Sequence, residues 1–584
     1  MQSTHRRRAL ALFLVTATGS FATGCSDTDA LVPQEDIYVA AVPPPVINGG
    51  TLAIAPDGHT AIAADTDRDV VWIVDVDAAA LKSKVALDAG DEPGRVVIDN
   101  GGRAHVILMA SGAVATVDVA SGKLADRRSV CAAPRGIAYD PASDSIHVAC
   151  VGGELVSLPA AGGTPTRTLK IDRDLRDVVV HEDKLLVSRL RTAEVLVVGP
   201  EGKVWQRKAP PTIRKRSFST GIENDFQPAV AWRMTAHPNG GAIMVHQRGM
   251  VGPVMTTRPG GYSGGGGCDE GIVETTITEV ESGGEASPIE IPTTGKATLP
   301  GTALPVDVAI SSSGKMVVVA AGTHSIVRTH IANIGPVEQQ DPCAAPPTEP
   351  VPGQPVAAAF MPNGVPVVQL REPAALYLPE SQRTIALPGE SRRDTGHDVF
   401  HASPTGFGSI ACASCHPDGG EDARTWNFDT VGLRRTQTIR GGIMDTAPLH
   451  WDGDAQTAGD IMNEVFVKRM GGTQRDPRRA RLLSRWMDSI PKLEHDAPLD
   501  MAAVERGKTI YNDAKVACAS CHSGPKLTNN QFADVGTGKP FQVPTLMGVA
   551  DRAPYMHNGC APTLRDSVTG DAVCSGGDKH GVTS

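Results

Sequence analysis

"PDGHTAIAAD", residues 56 to 65, begins as a turn and continues as a short apolar strand, and the same figure returns along the chain. Its copies are "DNGGRAHVILMA" from 99, "DPASDSIHVAC" from 140, "HEDKLLVSR" from 181, "HPNGGAIMVHQ" from 237, "SSSGKMVVVAA" from 311 and "MPNGVPVVQL" from 361. The first four anchors, near Asp57, Asn100, Ala142 and Glu182, lie about 40 residues apart. Each is followed by a second strand, as in "DVVWIVDVD", "GAVATVDVA", "GELVSLPA" and "AEVLVVGP". Seven turn-and-strand units at that period, without helical periodicity, predict a multidomain chain that begins with an all-β propeller of seven blades over residues 45–390. A pair of β-sandwiches is the competing architecture. Later copies are spaced more widely, and the largest insertion, 260–300, holds the glycine-rich "GGYSGGGGC".

Near residue 392 the texture changes to helix-compatible stretches broken by Gly and Pro. Beyond it "ACASCH" occurs twice, placing Cys412, Cys415 and His416 in one copy and Cys518, Cys521 and His522 in the other. In a CxxCH motif two thiols can add to the vinyl groups of a haem while the adjacent histidine binds its iron. The chemistry indicated is therefore two covalently bound haem c groups, with a zinc corner as the alternative. The surroundings repeat as well. "HDVFHASPTGFGSIACASCHPDGG" echoes "GKTIYNDAKVACASCHSGPK", "TIRGGIMDTAPLHWDGD" echoes "TLMGVADRAPYMHNGCA", and 32 residues separate His416 from Pro448 and His522 from Pro554 alike. Equal spacing predicts two all-α cytochrome c-type modules, residues 392–490 and 501–584, joined by a linker at 491–500. Asp476-Pro477 starts a helix whose Leu482, Leu483, Trp486 and Ile490 share one face and close the first module. The second module shows no counterpart to it.

The chain has 584 residues, a formal charge of -10 and no long basic run, which predicts several packed domains and no nucleic-acid surface. At its start Arg6-Arg7-Arg8, the apolar "ALALFLVTA" and "FATGC" read as an export signal, residues 1–25, too short to span a bilayer. "ATGC" resembles a lipobox with Ala22 where leucine is usual. On that reading Cys25 is the lipidated first residue, Ser26 favours the outer membrane and 26–44 is a linker; ordinary cleavage is the alternative. The expected location is the periplasm or outer membrane, with membrane contact only through the lipid anchor. Export permits disulfides. Proximity suggests the pairs Cys131/Cys150, Cys268/Cys343 and Cys560/Cys574, although spacing alone does not fix connectivity. His181, His237 and His246 read as surface or packing residues of the repeats, and the glycines of "GGYSGGGGC" as a mobile loop rather than a phosphate cradle.

The blade repeat resembles the YVTN-type propellers of exported bacterial proteins. Over residues 394–568 the paired CxxCH motifs with "RRTQTIRGG", "HWDGD", "FADVGTG", "VPTLMGV" and "APYMHNG" resemble the bacterial diheme cytochrome c peroxidase and MauG-type family. The resemblance implies an oxidoreductase in which one haem handles hydrogen peroxide and the other relays electrons from an electron-donor protein or small redox carrier. A calcium ion often sits between them in that family. The resemblance also implies an electron-relay role for Trp451, which lies in the "WDG" motif; interface packing is the alternative.

Several positions depart from the family pattern. A distal histidine follows the first CxxCH in the peroxidases, but none stands between His416 and His450 here. Haem one is then open, or closed by His450, which aligns with Met556. The family glutamate ahead of "MG" is absent, because "NEVFVKRMGG" places Arg469 before Met470 and leaves Glu464 as the nearest carboxylate. Either Glu464 takes the proton-transfer role or peroxidase activity is weak or absent. For haem two, His580 in "CSGGDKHG" is the favoured sixth ligand and Met556 its competitor, while His557 is expected to hydrogen-bond within its loop. Arg434, Arg435 and Arg440 are propionate partners or solvent-exposed. Two further readings remain: a non-enzymatic diheme electron carrier with the propeller as docking module, and a binding propeller with the cytochrome part as redox sensor.

Overall fold

A computed structural model describes residues 36–217, 221–257, 260–263, 271–280, 293–334, 348–405, 410–473, 476–494, 500–569 and Cys574. The repeats form seven antiparallel sheets, spanning 52–86, 93–129, 134–170, 175–208, 213–298, 305–350 and 355–386. Each sheet uses one continuous stretch of chain, with strands side by side in chain order apart from a short strand in the fifth sheet's insertion. The anchor strand is the second one: in the first sheet Leu52–Ile54 precedes Thr60–Asp65, Val70–Asp75 and Ala80–Ala86. The turn before it bends through a left-handed residue, Gly58 at φ 81° or Gly364 at φ 78°, where a side chain would be strained. The middle strands are buried on both faces, which explains their β-branched runs, and outer strands such as Lys123–Ser129 face water and carry charge.

The inner strands of successive sheets, the first of each except the fifth, where it is the second, Glu223–Ala236, pack side by side, and that of the seventh, Pro355–Phe360, returns to Leu52–Ile54, so the sheets close into an all-β propeller. Side chains make the closure. Thr51 Oγ1 donates to Gln369 (2.8 Å), Arg68 pairs with Glu372 (2.9 Å) and Arg371 with Asp67 (2.9 Å). These inner strands also carry buried charges: Arg95 pairs with Asp177 (2.9 Å), and Arg233 with Asp177 (2.7 Å) and Asp307 (3.0 Å).

Module one is seated against these charges. Asp418, two residues after His416, pairs with Arg176 (2.7 Å) and Arg135 (3.3 Å) of the propeller. Burial would raise the Asp418 carboxyl, but Arg176, Arg135 and Arg440 outweigh it and hold it well below the usual range. Gln247 Nε2 donates to the carbonyl of Ser414 (2.9 Å), and Arg424 Nη2 to that of Gly249 (2.9 Å). One apolar cluster runs from Trp232 and Val306 of the propeller to Val399, Phe400, Leu483 and Trp486 of module one. Residues 38–44, expected as linker, lie across the module: Tyr38 N donates to Thr395 Oγ1 (2.9 Å) and Trp486 Nε1 to the carbonyl of Pro44 (2.8 Å).

The closing helix is Pro477–Asp488, with Asp476 as its cap and Leu483, Trp486 and Ile490 buried. Neither module is purely helical, which corrects the all-α expectation. Module one carries the strand pair Thr425–Phe428 and Gly432–Arg435, extended in parallel by Pro253–Val254 from the fifth sheet's insertion. Module two carries Phe532–Ala533 and Phe541–Gln542. Those short strands come from stretches with too few residues to show an alternating pattern. Module two's first helix, Met501–Tyr511, is exposed along nearly its whole length. Disulfides join Cys131 to Cys150 and Cys560 to Cys574. The expected export signal, Cys25, Cys268, Cys343, His580 and the run Gly264–Gly267 lie outside the described residues. Among the described residues no helix is long and apolar enough to cross a membrane.

Candidate functional site

The helical turn Cys412–Cys415 sits at the wall of a cavity of about 260 Å³, lined by Cys412, Cys415 and His416 with Phe400, Ile439 and Leu483 among its apolar side chains. Both thiols are free, and burial pushes the Cys412 thiol up to about 12 and raises that of Cys415. His416 Nδ1 lies 3.2 Å from the carbonyl oxygen of Gly420. A proton there leaves the lone pair on Nε2, the tautomer an iron ligand needs. Burial lowers the His416 pKa and keeps the ring neutral. Two unpaired thiols on one helical turn, a neutral histidine with its tautomer set, and an apolar cavity fit haem c.

The same cavity is lined by His450, Trp451, Asp454 and Arg469 and, from the propeller, by Tyr262. His450 Nδ1 bonds Asp454 Oδ1 at 2.6 Å, a contact that holds the Asp454 carboxyl below its usual range. The helix Ile461–Arg469 turns Ile461, Val465 and Arg469 to the cavity, one every fourth residue. Glu464 falls on its other side, exposed and paired with Lys468 at 3.0 Å. Helical spacing thus aims Glu464, one of the two alternatives for the missing family glutamate, away from the cavity and puts Arg469 at the wall.

Trp451 lies between the two modules. Its Nε1 donates to the carbonyl of Arg435 (2.7 Å), and its ring stands 6.3 Å from His557 and 6.4 Å from Phe541, both of module two. Phe541 and His557 stack at 4.1 Å. The His557 ring therefore packs rather than bonding within its loop; its Nδ1 is buried without a hydrogen-bond partner, and burial lowers its pKa to about 4. Of the three arginines, Arg434 lines the cavity in a two-point pair with Asp452 (2.5 and 2.8 Å). Arg435 is buried on Glu421 (2.7 Å), and Arg440 donates to the carbonyl of Pro491 (3.1 Å). None is openly solvent-exposed, which removes that alternative.

The second motif repeats this geometry 106 residues later. His522 Nδ1 lies 3.3 Å from the carbonyl of Leu527, and Cys518 and Cys521 are free. The loops "LHWDGDA" and "YMHNGCA" match closely: Leu449 bridges Ala455 as Tyr555 bridges Ala561, His450 and Met556 share a left-handed backbone (φ 66° and 71°), and so do Gly453 and Gly559. Thr457 and Thr563 then make the same cap, each donating from its amide and hydroxyl to the carboxylate of Asp460 or Asp566. Met556 thus holds in module two the place of His450, and Cys560 that of Asp454.

His246 is buried between Gln247 and Thr278, His237 accepts from the amide of Asn239, and His181 from that of Gly241, all packing positions in the sheets. Among the described residues no group of three or more His, Cys, Asp or Glu is assembled to hold a metal ion such as calcium. Reading the sequence missed Tyr262, Asp454 and Asp418. A lone tyrosine inside a glycine run, in a chain only 4% aromatic, was the available signal for the first. For Asp418 it was arginine at the start of three successive first strands, in "PGR", "PRG" and "LRD".

No family model matches the chain. MauG of Methylorubrum extorquens is 27% identical over 233 residues, which is 30% of this chain and 65% of that protein. Hydrazine synthase subunit gamma of Kuenenia stuttgartiensis is 25% identical, covering 30% of this chain and 68% of its own length. Cytochrome c peroxidase of Escherichia coli is 24% identical over 34% of this chain and 54% of its own. Among solved structures, a Kuenenia stuttgartiensis hydrazine synthase chain covers 61% of this chain and 99% of itself at TM-score 0.45 and 14% identity. A streptogramin B lyase covers 57% of this chain and 94% of itself, with TM-score 0.37 and 13% identity. The chain is therefore similar, over about 30% of its length, to MauG and cytochrome c peroxidase, and it carries a β-propeller besides.

Proposed function

We propose that the chain is a peroxidase-like diheme c-type oxidoreductase in which a seven-bladed propeller carries two cytochrome c-type modules. The observation that carries this reading is one cavity that brings Cys412, Cys415 and His416 together with His450, Trp451 and Arg469. Similarity to MauG and cytochrome c peroxidase supports it. A haem bound there would supply one-electron chemistry and an iron position within reach of hydrogen peroxide. Reduction of peroxide to two waters takes two electrons and two protons, and the protein must handle both.

Cys412 and Cys415 would hold the group and His416 its iron; Cys518, Cys521 and His522 would do the same in module two. With Nδ1 on Asp454, His450 keeps Nε2 as the atom that takes a proton from one peroxide oxygen and returns it to the other. Arg469, a fixed cation at the wall, favours negative charge on the departing oxygen. Trp451, walled by the cavity on one side and by Phe541 and His557 on the other, supports a relay role between the modules. Met556 and His580 are the axial candidates of the second site, and an electron-donor protein or small redox carrier is the source of electrons. The leader sequence supports export with a lipid anchor at Cys25, checked by the mass of the mature amino terminus.

Low-temperature EPR of the oxidised holoprotein, run beside peroxide turnover, tests the reading. One high-spin and one low-spin ferric haem with turnover are expected. Two low-spin, six-coordinate haems in every redox state without turnover would overturn it. That result would instead fit a diheme electron carrier, the second reading, which the solvent-facing Glu464 favours.

A further inference from the structure

The insertion between Ala242–Met250 and Val273–Val280 of the fifth sheet crosses to the far wall of the module-one cavity. The Gly260 amide donates to the carbonyl of Lys468 (2.8 Å), the Tyr262 amide to that of Arg469 (2.8 Å), and the Ser263 hydroxyl to that of Met470. A helix end leaves such carbonyls without intrahelical partners, and here the propeller supplies them. Tyr262 is fixed by these bonds, 8% exposed, stacked on Phe428 with ring centres 6.0 Å apart.

Its hydroxyl lies 3.4 Å from Arg469 Nη1. Arg469 Nη2 is 3.7 Å from Asp454 Oδ2, and Asp454 Oδ1 bonds His450 Nδ1 at 2.6 Å. A run of polar contacts therefore starts on a propeller side chain and ends on the histidine of the cavity. Asp454 is 48% exposed and His450 36%, so neither is clamped by packing alone. Arg469 is held at both ends of its guanidinium, by a buried phenol and by a carboxylate, and the planar group transmits the position of one to the other.

We propose that Tyr262 is a positioning residue of the haem-one pocket: the propeller holds Arg469 through its hydroxyl, and Arg469 with Asp454 holds His450. The proposal rests on the haem-one reading above. It assigns the propeller a part in the site itself.

The test uses full-length holoprotein and the variant Tyr262→Phe, which keeps the ring on Phe428 and removes only the hydroxyl. The primary readout is the ferric EPR signal of haem one, which exists whether or not peroxide turns over; cyanide affinity of the ferric protein is the second. Tyr262→Phe and Arg469→Gln should each change the haem-one signal and leave that of haem two, and each should weaken cyanide binding about 5-fold, the effect of losing one polar contact. In the double variant the effects should not multiply, because the residues act in series. A haem-one signal in Tyr262→Phe that superposes on wild type overturns the proposal, as do multiplying effects in the double variant. Arg469→Gln leaves the bonds of the insertion to the carbonyls of Lys468, Arg469 and Met470 in place, and an unchanged haem-one signal there overturns it independently. Absence of peroxide turnover in the wild type, with these EPR changes present, would reject the peroxidase reading and leave the positioning role standing.

Discussion

Phe400, on the helix before the first CxxCH, is 1% exposed, and Ile510, on the helix before the second, is 57% exposed. Asp418 follows the first histidine and is buried among propeller arginines; Gly524 holds the same place and the same left-handed turn (φ 53° and 72°) with nothing near it. Asp454 bonds His450, whereas Cys560 is tied to Cys574. The apolar cluster that unites module one with the propeller includes no residue beyond Ile490. Duplicated motifs with one backbone plan have thus been separated by what packs around them. The first is enclosed by a β-rich platform and the second stands on a loop-rich edge.

Substitution at the twin positions can break this contrast. Asp418→Asn would leave Arg176 and Arg135 without their carboxylate and should destabilise the seating of module one by about 4 kcal/mol, the scale for breaking a buried pair. Gly524→Asp should cost only about 1 kcal/mol, the strain of a side chain at φ 72°, since the space there is open. Denaturant unfolding followed by haem absorbance compares them, and equal losses would mean the two environments are not distinct. Next in size, Phe400→Ala should lose about 3 kcal/mol from an emptied core site, and Ile510→Ala at most about 0.5 kcal/mol. A large loss at Ile510 would show cover on module two that the described residues do not supply.

The smallest effect sharpens the contrast through pH. Burial lowers the pKa of His147 to about 4 and of His246 to about 3, and both lie in the propeller. Unfolded histidine binds its proton near pH 6.5, so the folded state is fully favoured above that value and loses stability as pH falls toward the folded values. Between pH 7 and 5 each should contribute a loss of up to about 2 kcal/mol. Tryptophan fluorescence should report acid weakening of the propeller, with Trp72 and Trp232 buried in it. Module two carries His557, which burial also lowers to about 4, so its spectrum should change over the same range by less than the propeller signal; an equal change would mean the two are coupled more tightly than their packing indicates.

The repeat was legible because the middle strands are apolar on both faces. Their inner and outer neighbours were not, since the inner strands open on buried arginines and aspartates and the outer ones are charged. Cys412, Cys415, His416, His450 and Trp451, singled out by motif and symmetry, all line the one cavity. Tyr262 was not singled out, because sequence distance hides a contact between residues 262 and 469. Glu464 failed for a different reason: nearness along a helix is not nearness in space, and one residue's rotation carried it out to solvent while Arg469 came in.

The Asp418 plug bears on the order in which the molecule is made. On the proposed reading, haem must reach Cys412 and Cys415 while their motif is open, yet in the folded chain Gln247 grips the carbonyl of Ser414 and Arg176 grips Asp418 within the same turn of chain. On that reading, haem insertion at the first motif is expected before module one docks on the propeller. The second motif, left at the edge, can be filled before or after, so maturation would pause at one step that the duplicate does not share.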